Sequence, residues 1–159
     1  MNLTVGQKAP EFTLSDQDGK QHSLSSYHGQ FVLLYFYPKD DTPGCTKEAC
    51  SLRDNVPHFE NLNALVFGIS KDSVTSHKKF ADKFELTFPL LSDESTETIQ
   101  AYDSWGERQF MGKKYMGTFR NSFLINPEGN IAKIYENVKP EVHAEEVVAD
   151  IQALRQIAQ

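Results

Sequence analysis

The sequence lacks any apolar run long enough to cross a membrane. A spanning helix needs roughly 20 apolar residues, whereas the longest apolar run covers residues 31–37 and fits a buried strand. Residues 1–8 have neither the basic segment nor the apolar segment of a secretory signal. We therefore expect a cytoplasmic protein that makes no contact with membranes.

Positive charge and repetition are also scarce. Lys and Arg total 16 against 22 Asp and Glu, which leaves a net charge of −6. Proteins that bind duplex nucleic acid normally carry a basic face, so nucleic acid is not expected as a partner. Internal repeats and Pro/Ser-rich linkers are absent, and 11 Phe and 6 Tyr argue against disorder. We expect a single folded domain over residues 1–159.

Cysteine is nearly absent, with two residues in the whole chain. In a reducing cytosol, such a pair favours a chemical role over a structural disulfide. The pair is not spaced as Cys-x-x-Cys, and two sulfurs without a nearby pair of histidines form a poor zinc site. We therefore expect neither a thioredoxin-type redox motif nor a bound metal.

What the chain does contain is a regular alternation of strand and helix patterns, which predicts an α/β domain. We expect a central mixed β-sheet flanked by helices, with an N-terminal β-hairpin around the Asp-Gly turn at residues 18–19. Pro89 indicates that its strand lies at a sheet edge. Further strands are predicted at 31–37, 65–69 and 88–91, and a hairpin at 122–135. Helices are predicted at 43–62, 95–102 and 144–157, and another helix begins after a cap at Asp72 or Ser73. Residues 105–117 are predicted to be irregular.

Residues 38–50 combine a strand end, a helix start and both cysteines. Thr42 is a natural N-cap and Pro43 suits the first helical position, which places Cys45 in the first turn. The positive end of the helix dipole and the unpaired backbone N–H groups there favour the thiolate form of a cysteine. The same donors could hold an oxygen-rich ligand. Cys45 is therefore a candidate activated thiol.

The two cysteines lie on different faces of this predicted helix. Cys45 shares a core-facing stripe with Ala49 and Leu52, whereas Cys50 lies about 140° around the helix from Cys45. Their Cα atoms would be roughly 8.6 Å apart in an intact helix, beyond the limit of about 7 Å for a disulfide. A redox-active pair therefore requires local unwinding. From spacing alone, both residues could equally be small buried hydrophobic side chains.

The motif Pro38-x-x-x-Thr42-x-x-Cys45 resembles the active-site motif of peroxiredoxins. The longer run YFYPKDDTPGCTKEAC at residues 35–50 is similar to the peroxiredoxin Q group, also called bacterioferritin comigratory proteins. Further similarity is found at residues 6–14, 88–93, 105–107 and 117–125, so that it extends over nearly the whole chain.

This resemblance implies a thioredoxin-like fold and a thiol peroxidase that reduces hydrogen peroxide and organic hydroperoxides without a cofactor. Cys45 would be the peroxidatic residue, whose thiolate attacks the peroxide and becomes a sulfenic acid. Cys50 would be the resolving residue, which forms an intrachain disulfide with Cys45. Thioredoxin or a similar dithiol protein would reduce that disulfide. Since the cycle is completed within one chain, a monomer is expected.

Five supporting residues carry over from the same resemblance. Arg120 would favour the thiolate and donate hydrogen bonds to the reacting oxygens. The Thr42 hydroxyl and the backbone N–H of Gly44 would hold the peroxide in line, and Pro38 would shield the sulfur from water. Glu48 would orient Arg120, although a solvated carboxylate on the helix face is an equal alternative.

Two other functions remain open for this sequence. A thioredoxin-like disulfide reductase is disfavoured because Cys-x-x-Cys is absent. A redox sensor or holdase would react with peroxide once and then expose apolar surface by unwinding its helix. Sustained peroxide turnover separates the peroxidase from the sensor.

Overall fold

The fold, described for residues 1–157, comes from a computed structural model and is built on one mixed β-sheet with helices on both faces. Among these residues, no helix has both the length and the hydropathy that crossing a bilayer requires. A short 3-10 helix, Leu24–Tyr27, follows the first hairpin. The strands and α-helices in chain order are β1 Thr13–Ser15, β2 Gln21–Ser23, β3 Phe31–Phe36, α1 Pro43–Asn61, β4 Ala64–Ser70, α2 Val74–Phe84, β5 Leu90–Ser92, α3 Glu97–Ala101, β6 Trp105–Phe110, β7 Lys113–Thr118, β8 Ser122–Ile125, β9 Ile131–Tyr135 and α4 His143–Ile157.

The main sheet has seven strands in the order β2-β1-β5-β4-β3-β8-β9. The central strands β3, β4 and β5 are parallel, and the strands on either side pair antiparallel to their neighbours. The mixed sheet and the N-terminal hairpin β1–β2 confirm the expected α/β architecture. Parallel strands are joined by helical crossovers, so α1 links β3 to β4 and starts at the carboxyl end of the central strand.

Strand β3 lies at the centre of the molecule, and all six of its residues are buried. Leu33 and Tyr35 pack on the side that contains α1 and α4, whereas Leu34 and Phe36 pack on the opposite side. The continuous apolar run of this strand is typical of a strand covered on both faces. The loop that follows β3 is therefore anchored on a fully buried strand.

Two sequence predictions about strands are wrong. Strand β5 lies between β4 and β1 rather than at an edge. Pro89 comes just before the strand and uses only its carbonyl, which accepts a hydrogen bond from the Gly68 N–H. The stretch predicted as irregular is the hairpin β6–β7, a separate two-stranded sheet. Its two turn residues, Met111 and Gly112, have φ of 51° and 81°, as a two-residue turn of type I′ requires.

Candidate active site

Helix α1 begins as predicted, with Thr42 in the N-cap position and Pro43 in the first turn. The Thr42 side chain does not cap the helix, because its hydroxyl donates to the carbonyl of Lys39 at 2.9 Å. The Thr42 carbonyl accepts the first helical hydrogen bond from Thr46 N–H at 2.8 Å. Hence the N–H groups of the first turn have no bond to the Thr42 side chain, and the hydroxyl braces the loop instead.

Cys45 lies in this first turn with only 1% of its surface exposed. The guanidinium of Arg120, from the segment between β7 and β8, donates from Nη2 to Cys45 Sγ at 3.1 Å. Arginine is always charged in proteins, and a cation at this distance favours the thiolate over the thiol. The tertiary structure thus joins two of the predicted site residues that are 75 positions apart in the sequence.

Glu48 is buried one helical turn after Cys45, with 1% of its surface exposed. Its Oε1 accepts a hydrogen bond from Arg120 Nη1 at 3.4 Å. The alternative of a solvated carboxylate on the helix face is therefore wrong. Burial raises the pKa of Glu48 to about 7, against the lowering effect of the Arg120 charge and hydrogen bond. One guanidinium contacts both the Cys45 sulfur and a buried carboxyl group.

We expect Glu48→Gln to remove a pH dependence of stability. The folded protein holds a proton on Glu48 up to about pH 7, whereas the unfolded chain releases it near 4.5. Because the folded state binds more protons between these values, the free energy of unfolding falls as the pH rises through this window. The loss amounts to about 3 kcal/mol in the wild type. Urea unfolding of both proteins from about pH 4 to pH 8 measures it, and an equal pH dependence in the two would contradict the burial of a titrating Glu48.

Gly44 allows the guanidinium to approach the helix N-terminus. A Cβ atom at this position would lie 2.7 Å from Arg120 Nη2, which real Cβ contacts do not show. Any side chain here would therefore displace Arg120 from the sulfur. Pro38 is half-buried in the loop between β3 and α1, and its shielding of the sulfur stays a prediction.

Cys50 lies half-buried on the same helix, and both cysteines are free thiols. Helix α1 runs unbroken through the two positions. The geometry of an intact helix keeps the sulfurs too far apart to bond. Formation of the expected Cys45–Cys50 disulfide therefore requires the first turns of α1 to unwind.

A cavity of about 340 Å³ borders Arg120 on the side of the β6–β7 hairpin. Arg108, Phe119 and Val138 also line it. A separate cavity of about 360 Å³, lined by Phe31 and other residues at the opposite end of β3, contains no nucleophilic side chain. Of these two cavities, the one beside the β6–β7 hairpin shares Arg120 with the thiol site, so access to the sulfur is expected from that side.

Sequence reasoning missed a second buried polar group beside the site. His77 is fully buried in α2 and contacts Asp40, two residues before Thr42. No sequence signal indicates this contact, because it joins residues 37 positions apart in different elements.

The chain matches known proteins over most of its length. Residues 5–134 match the model of the AhpC/TSA family. The chain is 43% identical over 148 residues to peroxiredoxin Bcp of Bacillus subtilis, covering 93% of this chain and 94% of that protein. It is 45% identical over 146 residues to peroxiredoxin Bcp of Escherichia coli, covering 92% and 94%.

Solved structures show the same fold. A structure of a Cys-to-Ser mutant of PrxQ from Xylella fastidiosa superposes with a TM-score of 0.92 and 35% identity, covering 98% of this chain and 99% of that one. The bacterioferritin comigratory protein of Xanthomonas campestris gives 0.88 and 35%, covering 94% and 98%. These similarities confirm the expected thioredoxin-like fold and show that the chain belongs to the AhpC/TSA family, as a peroxiredoxin of the Bcp and PrxQ type.

Proposed function

We propose that this peroxiredoxin reduces hydroperoxides through Cys45, with Cys50 as the resolving thiol. The observation that carries the proposal is the 3.1 Å contact between Arg120 Nη2 and the buried Cys45 Sγ at the N-terminus of α1. A buried cysteine that served only for packing would have no need of a guanidinium at its sulfur. The contact supports a thiolate held ready for nucleophilic attack.

In the first step, the Cys45 thiolate attacks the terminal oxygen of the hydroperoxide. An S–O bond forms as the O–O bond breaks, and the leaving alkoxide or hydroxide takes a proton to become an alcohol or water. Negative charge moves from the sulfur to the leaving oxygen, so donors fixed along that line stabilise the transition state. Arg120 and the backbone N–H groups of Gly44 and Cys45 are the proposed donors. The Thr42 hydroxyl, whose proton goes to the carbonyl of Lys39, is proposed to hold the peroxide as an acceptor of its O–H.

In the second step, the Cys50 thiolate attacks the sulfur of the Cys45 sulfenic acid. The S–S bond forms, the S–O bond breaks, and the oxygen leaves as water after gaining a proton. Helix α1 must unwind between the two residues for this attack. A dithiol protein such as thioredoxin then reduces the disulfide by exchange and becomes oxidised itself. No metal or organic cofactor takes part in this cycle.

Both hydrogen peroxide and organic hydroperoxides are proposed as substrates. The structure of the Xanthomonas campestris relative is described in terms of its alkyl peroxide reduction activity. In this chain, Phe119 and Val138 give the cavity beside Arg120 an apolar part that an alkyl group could occupy. We further propose that the chain acts as a monomer in the cytoplasm, because the intrachain disulfide needs no second subunit and a dithiol reductant is available there.

The test is the intact mass of the reduced protein a few seconds after mixing with slightly less than one equivalent of hydrogen peroxide. We expect the loss of two hydrogens from a monomer, and peptide mapping should place the new bond between Cys45 and Cys50. A mass that stays unchanged for minutes would show that Cys45 is an ordinary buried thiol. If the disulfide forms but the protein does not go on to reduce further peroxide, the result would favour the sensor or holdase.

We expect Cys50→Ser to react with peroxide once and then stop. The variant retains Cys45 and Arg120, so the first step proceeds at the wild-type rate, but the sulfenic acid has no intrachain partner. Intact mass should show the gain of one oxygen, and a dimedone adduct should confirm the sulfenic acid. A disulfide within the monomer is impossible in this variant, so a dimer linked through Cys45 would instead identify a thiol of another chain as the resolving group.

A further inference from the structure

A buried polar cluster next to the thiol site ties the loop before α1 to the rest of the fold. Asp40 lies in this loop, which connects β3 to α1, and 4% of its side chain is exposed. The Nδ1 atom of the fully buried His77 lies 2.7 Å from Asp40 Oδ2. The chemistry proposed above uses neither residue. Burying a carboxylate costs free energy unless it is paired and hydrogen-bonded, so their partners determine what the pair does.

Asp40 is hydrogen-bonded to three parts of the chain, as an acceptor through its carboxylate and as a donor through its backbone N–H. The Tyr37 hydroxyl at the end of β3 donates to Oδ1 at 2.6 Å. The Ser76 hydroxyl in the first turn of α2 donates to Oδ2 at 2.8 Å. The backbone N–H of Asp40 donates to Oδ2 of Asp72, before α2, at 2.9 Å. These bonds fix both the backbone and the side chain of Asp40, so they set the position of the loop.

His77 connects this loop to the centre of the sheet. Its Nε2 lies 3.1 Å from the carbonyl oxygen of Leu91 in β5, while Nδ1 faces Asp40. Each ring nitrogen therefore faces a polar atom of a different element, and the ring links the loop to β5.

The loop held in this way contains Thr42 and leads directly into the backbone N–H donors of α1 that are proposed to hold the peroxide. Thr42 follows Asp40 by two residues, and its hydroxyl bonds back to Lys39 within the same loop. The first turn of α1, with Cys45, starts directly after Thr42. A shift of about 1 Å in such donors can lower a rate by about a hundredfold. The position of Asp40 is therefore coupled to the geometry of the first chemical step.

We infer that His77 is a positioning residue for the peroxide reaction, which it serves by holding Asp40 and, through it, the loop at residues 38–42. The inference rests on the proposed function of Cys45. His77 itself touches neither the sulfur nor the peroxide. Its part is to keep the Thr42 hydroxyl and the N-terminus of α1 in register with Arg120 while substrate binds.

The side-chain atoms of Asp40, Asp72 and His77 also lie within 4.8 Å of one another, a spacing that could suit a cation. The direct 2.7 Å contact between His77 and Asp40 and the two hydroxyl groups that donate to Asp40 favour hydrogen bonding instead. Metal analysis of the purified protein therefore belongs to the test. If the wild type contains about one equivalent of metal and His77→Asn contains none, the assignment is overturned.

The test is the rate constant of the first step, measured by stopped-flow mixing of reduced His77→Asn with hydrogen peroxide. We expect a decrease of about 10- to 100-fold, and Asp40→Asn should show the same decrease if His77→Asn does not fold. Nitrogen NMR of the wild type should show both ring nitrogens of His77 engaged in hydrogen bonds. The matched control is His22→Asn, since His22 forms a comparable buried pair with Asp16 at 2.7 Å in the N-terminal hairpin.

The control separates positioning from a general loss of stability. His22→Asn should lose a similar amount of stability but react at the wild-type rate. A folded His77→Asn that reacts as fast as the wild type would overturn the inference, and so would an equally slow His22→Asn. A wild-type protein that does not react with peroxide would instead overturn the proposed function, so the two failures are distinguishable.

Discussion

We expect Cys45→Ser to abolish hydroperoxide reduction. A serine hydroxyl at this position is far less nucleophilic than a thiolate, and Cys50 lies too far along the intact helix to replace it. The loss should reach at least about three orders of magnitude, as when other enzymes lose their nucleophile. Peroxide consumption with a small dithiol as reductant measures it, without relying on any particular protein partner.

Cys50→Ser is the matched control for this experiment, because it changes the same atom in the same helix. That variant should still consume one equivalent of peroxide, whereas Cys45→Ser should consume none. Turnover that survives in Cys45→Ser would contradict the assignment of the peroxidatic residue. Equal single-turnover behaviour of the two variants would show that the cysteines are interchangeable, which the different burial of Cys45 and Cys50 argues against.

We expect Arg120→Met to slow the first step by about 100-fold. Methionine has a comparable length but no charge, so the variant loses the donor that lies 3.1 Å from Cys45 Sγ. Removal of one fixed donor at a developing charge commonly costs a factor of about 10² to 10³. Stopped-flow mixing of the reduced variant with hydrogen peroxide measures the rate constant of this step.

Arg108 supplies the control for Arg120. It lines the same cavity, but its Nη1 donates to the carbonyl of Thr118 at 2.7 Å. Arg108→Met should therefore leave the rate constant of the first step near the wild-type value. If Arg120→Met reacts at the wild-type rate, Arg120 has no role in the chemistry.

The loss of Arg120 also leaves Glu48 buried without its partner. A buried carboxyl group that has lost its hydrogen-bond partner destabilises the fold even when it is protonated, and this effect must be separated from the effect on the sulfur. The double variant Arg120→Met/Glu48→Gln replaces both members of the pair. We expect it to remain slow, because the donor to Cys45 is still missing. A return to the wild-type rate would show that Glu48, rather than the lost donor, slowed the single variant.

Local patterns predicted most of the elements around the site. The apolar run of β3 and the Thr42-Pro43 start of α1 depend on short-range effects, namely burial on both faces and the absence of a proline N–H. The burial of Cys45 follows from the same helical phase that places Ala49 in the core. These features were therefore predictable without knowledge of their partners.

The errors arose where long-range contacts decide. Pro89 precedes an inner strand, because β1 pairs with the side of β5 that faces away from β4. No property of the proline itself indicates this pairing. The β6–β7 hairpin has an alternation weakened by glycines, and its turn depends on the positive φ of Met111 and Gly112. The Thr42 hydroxyl has two acceptable uses, cap or loop brace, and the path of the preceding loop selects the second.

By itself, the sequence determined that a cysteine stands in the first turn of a helix after a buried strand, because cap, proline and helical phase are local properties. The tertiary structure alone decided which groups surround that cysteine. Arg120 reaches the sulfur, and Glu48 is buried beneath the same guanidinium. His77 holds the preceding loop through Asp40. Each of these contacts joins distant segments of the chain, and burial excludes the water that would otherwise screen their charges.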